Sequence, residues 1–184
     1  LAAYDPDVWG RDDEPSGPLE TARKAAQQIQ QGRVRIRIGA NTTLVGIGGD
    51  AVLRGAWLDI RGTSTAPVDN IIIRNLTFQD TFDCFPRWDP TDGSNGNWNS
   101  QYDSISLRYA THVWIDHNVF EDRDTIDEGL PLYFGRLFQV HDGLLDITNA
   151  SDLVTVSWNV FRHHDKVMLI GSLIFTASEL LLAP

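Results

Sequence analysis

The chain has 184 residues, enough for one domain with a substantial core; 42% of them are hydrophobic and six are tryptophan. A formal charge of −10 argues against a nucleic-acid binder, which needs an electropositive surface to meet phosphates, and against any polyanionic ligand unless cations are recruited with it. The single cysteine, Cys84, rules out an internal disulfide framework, and no apolar run reaches the ~18 residues of a membrane span. No basic-then-apolar leader precedes the first element, so a signal peptide is expected to be absent or already removed.

Residues 1–17 are rich in Asp, Pro and Gly and read as irregular. The stretch "GPLETARKAAQQIQQ" (17–31) is helical in composition, with Pro18 near its start and Gly32 just past its end. "RVRIRI" (33–38) alternates charged and β-branched residues, the pattern of a half-buried strand. "GIGGDA" (46–51) fits a dinucleotide-loop form, but a strand-like "AVLRGAWLDI" follows where that loop needs a helix, so its glycines are expected to make a turn.

From there to about residue 170 short β-rich runs recur. "IIIRNLTF" (71–78), "VWIDHNVF" (113–120) and "VTVSWNVF" (154–161) align, with Ile71, Val113 and Val154 in one column and Phe78, Phe120 and Phe161 in another. A second layer, "LDI" (58–60), "ISL" (105–107) and "LDI" (145–147), precedes the copies. Such a recurrence predicts an all-β right-handed parallel β-helix, incomplete, with a short N-terminal helix and coils of ~20 residues. Asn118 and Asn159 then fall at one turn position, where amides bond up the stack. A β-sandwich would need hairpin turns, and the one Asn-Gly, at 95–96, sits in a long loop.

Three aspartates stand out in the stacked layers. "YDSISL" lies over "DGLLDI", which brings Asp103 near Asp142 and Asp146. In an unbroken strand Asp142 and Asp146 share a face, and adjacent strands lie ~4.8 Å apart. Carboxylates so placed repel, at least one pKa rises, and hard oxygen ligands suit Ca²⁺. The plainer alternative makes each a turn or outer-face residue. Upstream, "RWDPTDGSNGNWNS" (87–100) offers Asp89, Asp92, Asn95, Asn97 and Asn99 for calcium or sugar and Trp88 and Trp98 for stacking, or else is a solvated loop of Asx turns. The five histidines, His112, His117, His141, His163 and His164, show no zinc-motif spacing. Lys166 follows in "HHDK", where a surface ion pair is the plainer reading.

"NVFRHHDKVMLIGS", "THVWIDHNVFED", "YFGRLFQVHDGLLDI" and "FPRWDPTDGSNGNWNSQYDSI" together resemble the pectate lyases of polysaccharide lyase family 1, from about residue 4 to Gly171. On this basis residues 1–171 are expected to form a partial domain of that family, truncated at both ends, with 172–184 a non-matching tail. The resemblance implies a secreted, Ca²⁺-dependent enzyme that cleaves polygalacturonate by β-elimination. It implies Asp103, Asp142 and Asp146 as primary calcium ligands, Asp92 and Asn99 as ligands of further calcium when substrate is present, and Lys166 as a substrate-carboxylate binder. Asp116 and His117 match a motif that is mainly structural. In the family an arginine in an R-x-P-x-x-R segment is the base. This sequence contains no such segment, and neither Arg136 nor Arg162 matches its position. An alternative expectation is therefore a calcium-dependent pectate-binding remnant. A third is a metal-free polygalacturonase-like hydrolase with two carboxyl groups ~6.5–9.5 Å apart. Exposed coil ends, with the tail covering one of them, predict a homo-oligomer.

Overall fold

In the computed structural model the chain winds into a parallel β-helix; Tyr4, Trp9, residues 11–171 and the backbone of 180–182 are described. A helix, α1 (Pro18–Val34), comes first. The first coil has strands β1 (Arg35–Arg37), β2 (Thr42–Val45) and β3 (Val52–Arg54), and the second β4 (Trp57–Arg61), β5 (Val68–Arg74) and β6 (Thr77–Gln79). A hairpin of β7 (Arg87–Asp89) and β8 (Asn97–Asn99) leads to the third coil, β9 (Ile105–Arg108), β10 (Ala110–Asp116) and β11 (Val119–Glu121). A second hairpin, β12 (Leu132–Tyr133) and β13 (Arg136–Leu137), precedes the fourth coil, β14 (Leu145–Thr148), β15 (Asp152–Ser157) and β16 (Val160–Arg162). β17 (Met168–Ile170) and β18 (Leu180–Leu182) follow. Like strands of successive coils pair in parallel, which makes three sheets: β1-β4-β9-β14-β17, β18-β15-β10-β5-β2 and β16-β11-β6-β3. No described helix is long and apolar enough to cross a membrane.

The register matches the repeats in the sequence. Val113 pairs with Ile71 on one side and Val154 on the other. Phe120 pairs with both Phe78 and Phe161, and the three rings stack 4.8 Å apart within 6° of parallel. That distance is the spacing of neighbouring strands, so backbone pairing sets the ring stack. Leu58, Ile105 and Leu145 form another inward column, and these columns make one continuous core. The turn between the second and third strands of a coil repeats as well. Asn75, His117 and Trp158 all take a left-handed backbone there, with φ of 55°, 54° and 53°. One residue on, Asn118 donates to the Ile73 carbonyl and to Asn159 Oδ1, and its own Oδ1 accepts from the Leu76 N–H.

Each coil has three strands. The bare coil is 22 residues, as the Arg35–Trp57 pairing gives, and the 41–42-residue spacings are single coils carrying insertions. The insertions fall in one place, between the third strand of a coil and the first of the next, at 80–104 and 122–144. α1 runs to Val34, so the expected strand over 33–38 shrinks to β1. The buried residues of α1 are polar. Arg23 and Gln27 bond the Phe85 carbonyl, and the Gln27 carbonyl accepts from the Tyr102 hydroxyl. Gly46 makes the tight turn its sequence suggests, since a Cβ there would lie 1.8 Å from the Asn75 carbonyl oxygen. In the tail, Leu180–Leu182 pair with Val154–Val156 as the next strand of the second sheet, while residues 172–179 and 183–184 lie outside the described residues.

Asn118→Ala would leave the Ile73 carbonyl and the Leu76 N–H unpaired in the interior. At about 1–3 kcal/mol for each orphaned group, the unfolding free energy should fall by about 3 kcal/mol in a urea titration.

Candidate metal centre and groove

Asp103 ends the first insertion, two residues before β9, and Asp142 ends the second, three residues before β14. Ile105 pairs with Leu145, so Asp103 stands over Gly143 as the stacked sequences require. The strand is not unbroken, however. β14 begins only at Leu145, and Asp142 reaches the cluster from the loop. Asp146 lies within β14 and shares an outward column with Arg37, Asp59, Ser106 and Leu169.

Asp103 is 1% exposed. Its Oδ1 accepts the Gly143 N–H at 2.9 Å and its Oδ2 accepts the Ser106 hydroxyl, so its orientation is set by backbone and neighbour. Asp146 Oδ1 accepts the Leu169 N–H at 3.3 Å. The two carboxylates converge on Gly143. A Cβ on that residue would lie 2.4 Å from Asp146 Oδ1 and 3.1 Å from Asp103 Oδ1. Glycine is therefore required here by space, and the cradle it leaves is lined by carboxylate oxygens. Asp142 is half-exposed beside them, and its Oδ1 lies 3.5 Å from Lys166 Nζ.

The electrostatics follow from burial and like charge. Burial first, then the charges of Asp142 and Asp146, push Asp103 up to about 8. Burial, then Asp142, push Asp146 up to about 6. A cluster that resists ionising alone is one that a divalent cation would satisfy, and three hard oxygen donors suit calcium.

A groove lies beside this cluster, joined to it through Lys166, which is 3.5 Å from Asp142. Asp92, Asn99 and Lys166 line it together, with Arg136, Gln139 and Asp165, so the loop candidates and the lysine do meet. Sequence reasoning missed Arg136 and Gln139 as groove residues, because both come from the second insertion, whose path no periodicity reveals. Of the two tryptophans considered for stacking, Trp98 borders the groove and Trp88 does not, and both rings are buried. Trp88 and Trp98 are 0% and 2% exposed; they contact each other and Phe134, and their N–H groups donate to the Arg11 and Tyr133 carbonyls. Their rings form a small core for the hairpins, since loops this long must bury apolar surface of their own. Asn95 and Gly96 lie at the end of the 90–96 loop that joins β7 to β8, as the long-loop expectation had it, and a Cβ on Gly96 would strike Trp88 at 2.5 Å. Asp116 is structural, as expected: buried on another flank, it accepts from Arg74, His117 and Ser157.

Residues 17–178 match a family model described as pectate lyase. The chain belongs to the pectate lyase family. A pectate lyase of Bacillus subtilis is 49% identical over 172 residues, 94% of this chain and 39% of its own length. Pectate lyase A of Dickeya chrysanthemi is 40% identical over 143 residues, 77% of this chain and 35% of its own. Among solved structures, a pectate lyase bound to a hexasaccharide superposes with a TM-score of 0.84 at 49% identity, over 94% of this chain and 41% of that one. The pectate lyase of Acidovorax avenae reaches a TM-score of 0.86 at 47% identity, over 94% and 38%. The chain thus spans about two fifths of the length of these pectate lyases.

A carboxyl group whose folded pKa lies above its unfolded value stabilises the fold fully below the unfolded pKa, and that stability is lost as pH rises through the folded one. For Asp103 the window runs from the ordinary 3.8 to about 8. In chelator, the thermal midpoint of the chain should fall across this window more steeply than that of Asp103→Asn, and added calcium should remove most of the difference. Parallel pH profiles by scanning calorimetry check this.

Proposed function

We propose that this chain is the calcium- and uronate-binding portion of a secreted pectate lyase that cleaves polygalacturonate by β-elimination. The observation that carries the proposal is the convergence of Asp103 and Asp146 on the Cβ-less side of Gly143, with Asp142 beside them. Asp103, Asp142 and Asp146 would hold the ion. Calcium there supplies the positive charge that joins an acidic protein to a polyanion and makes the proton next to a uronate carboxylate easier to remove. This reconciles the formal charge of −10 with an anionic substrate.

The chain's own residues do the rest of the positioning. Ser106 and the Gly143 N–H hold Asp103 in one orientation before any ligand arrives. Lys166, half-exposed and paired only loosely with Asp142, is placed to take a substrate carboxylate. Asp92 and Asn99 face the same groove and are positioned to bind further calcium brought with substrate. Arg35, Arg37 and Arg61 gather around Asp59 at 3.9, 3.9 and 3.3 Å on the outward face of the first sheet, in line with Asp146, and add positive charge along the path of the chain of uronates. Removal of the C5 proton and departure of the glycosidic oxygen from C4 need a base. The family's R-x-P-x-x-R segment is not among these 184 residues, so turnover is proposed of the protein to which this portion belongs. Self-association through the sheet ends is part of the same proposal, and light scattering over a concentration series reads it.

Titration calorimetry should show calcium-dependent binding of oligogalacturonate. Asp103→Asn and Asp142→Asn should each weaken calcium at least tenfold, and Gly143→Ala, which displaces Asp146, should do so with an intact fold. Lys166→Ala should weaken oligogalacturonate while leaving calcium affinity unchanged. In the lyase, ultraviolet absorbance and reducing ends should rise together and only with calcium. Reducing ends formed without absorbance and without calcium would identify a hydrolase and overturn the reading.

A further inference from the structure

Behind the carboxylate cradle lies a second cluster, made by residues far apart in sequence. Asp122 follows β11, Asp127 opens a single 3₁₀ turn (Asp127–Gly129), His141 precedes the Asp142 loop and His164 follows β16. One ligand atom from each of the four lies within 4.8 Å of all the others. The side chains of Asp122, Asp127, His141 and His164 are 1%, 6%, 0% and 1% exposed. His141 Nδ1 is 2.9 Å from Asp127 Oδ1 and 3.7 Å from Asp122 Oδ2, and His164 Nδ1 is 2.6 Å from Asp122 Oδ2.

Two features show that this is more than a closed hydrogen-bond network. First, Asp122 Oδ1 is buried with no hydrogen-bond partner. Buried polar atoms are nearly always paired, and a carboxylate oxygen left bare in the interior is costly. Second, His164 Nε2 lies 2.9 Å from the Asp142 carbonyl oxygen, which can only accept. The Nε2 must therefore carry a hydrogen. In the neutral ring this leaves a lone pair on Nδ1, facing a carboxylate oxygen across 2.6 Å. Two lone pairs at that separation require a positive charge between them, a second proton or a metal ion. The charge of two buried carboxylates matches in magnitude that of one dication.

We infer that Asp122, Asp127, His141 and His164 form a buried structural site for a zinc-class dication. Two ring nitrogens and two carboxylate oxygens make a four-donor set that suits tetrahedral zinc. Calcium and magnesium want six or more oxygens, so the site and the cradle differ in the ion they select. The His164 N–H to the Asp142 carbonyl is the kind of outer contact that fixes a ligating ring's tautomer, and it ties the site to the loop carrying Asp142. Zinc held here would brace that loop from behind. The existence of the site does not depend on the calcium reading; only its bracing role does.

The chain, stripped with a zinc-selective chelator, is titrated with zinc chloride in excess calcium, dialysed and measured for metal content. One zinc per chain should remain, with a higher thermal midpoint. Cobalt in place of zinc should give the visible absorption bands of a tetrahedral nitrogen–oxygen site. His141→Ala and Asp122→Asn should weaken zinc about 10–100-fold. Asp103→Asn should keep zinc while losing calcium, which separates failure of this site from failure of the cradle. Substoichiometric zinc in the unmutated chain, cobalt bands of octahedral type, or zinc retained equally by His141→Ala would each overturn the proposal. The cobalt spectrum decides even if the variants do not fold.

Discussion

Parallel pairing of like strands in successive coils is the constraint on which the rest of this molecule depends. It puts equivalent residues one strand spacing apart, coil after coil. Inward columns such as Leu58–Ile105–Leu145 become a continuous core, and Phe78, Phe120 and Phe161 become a ring stack. The same constraint acts on polar residues. Asn118 and Asn159 can satisfy the bend between strands only because the coil above presents a carbonyl or an amide at the right height.

The site uses that rigidity and departs from it. Asp146 is held by a strand and Asp103 by two hydrogen bonds next to one, while Asp142 and Lys166 arrive from loops. Asp103 and Asp146 repel one another yet stay together because the coils allow them little freedom to separate, and Asp142 joins them from its loop. Burial first, and then repulsion within the cluster, raises the pKa values of Asp103 and Asp146. Gly143 matters as much as the acids, since the space it leaves is where their oxygens face each other. The long insertions all leave the solenoid at one kind of turn, so the groove residues and the buried histidine–aspartate cluster gather on the flank where the cradle opens.

The comparisons with pectate lyases agree with this geometry. Identity near one half over 94% of the chain, with a TM-score of 0.84, means that the coils and their insertions are shared, not only the general fold. The exposed arginines around Asp59 and the groove-lining Arg136 add local positive charge to a strongly acidic chain. Net charge alone does not describe this surface, because charge acts over roughly a Debye length and is not averaged over the molecule.

By itself the sequence determined the repeating columns, the solenoid they imply and the meeting of Asp103 with Asp146, because the period of inward residues carries the register directly. It also revealed the family, through motifs lying on the coils and at their edges. Tertiary structure alone decided what the insertions do. Trp88 and Trp98 look like sugar-stacking rings in sequence and are buried hairpin core in the fold. His141 and His164 show no metal spacing, yet they meet Asp122 and Asp127 in the interior. The physical reason is the same in each case: a loop has no period, so its side chains find their neighbours only when the coils beneath it have fixed where it starts and ends.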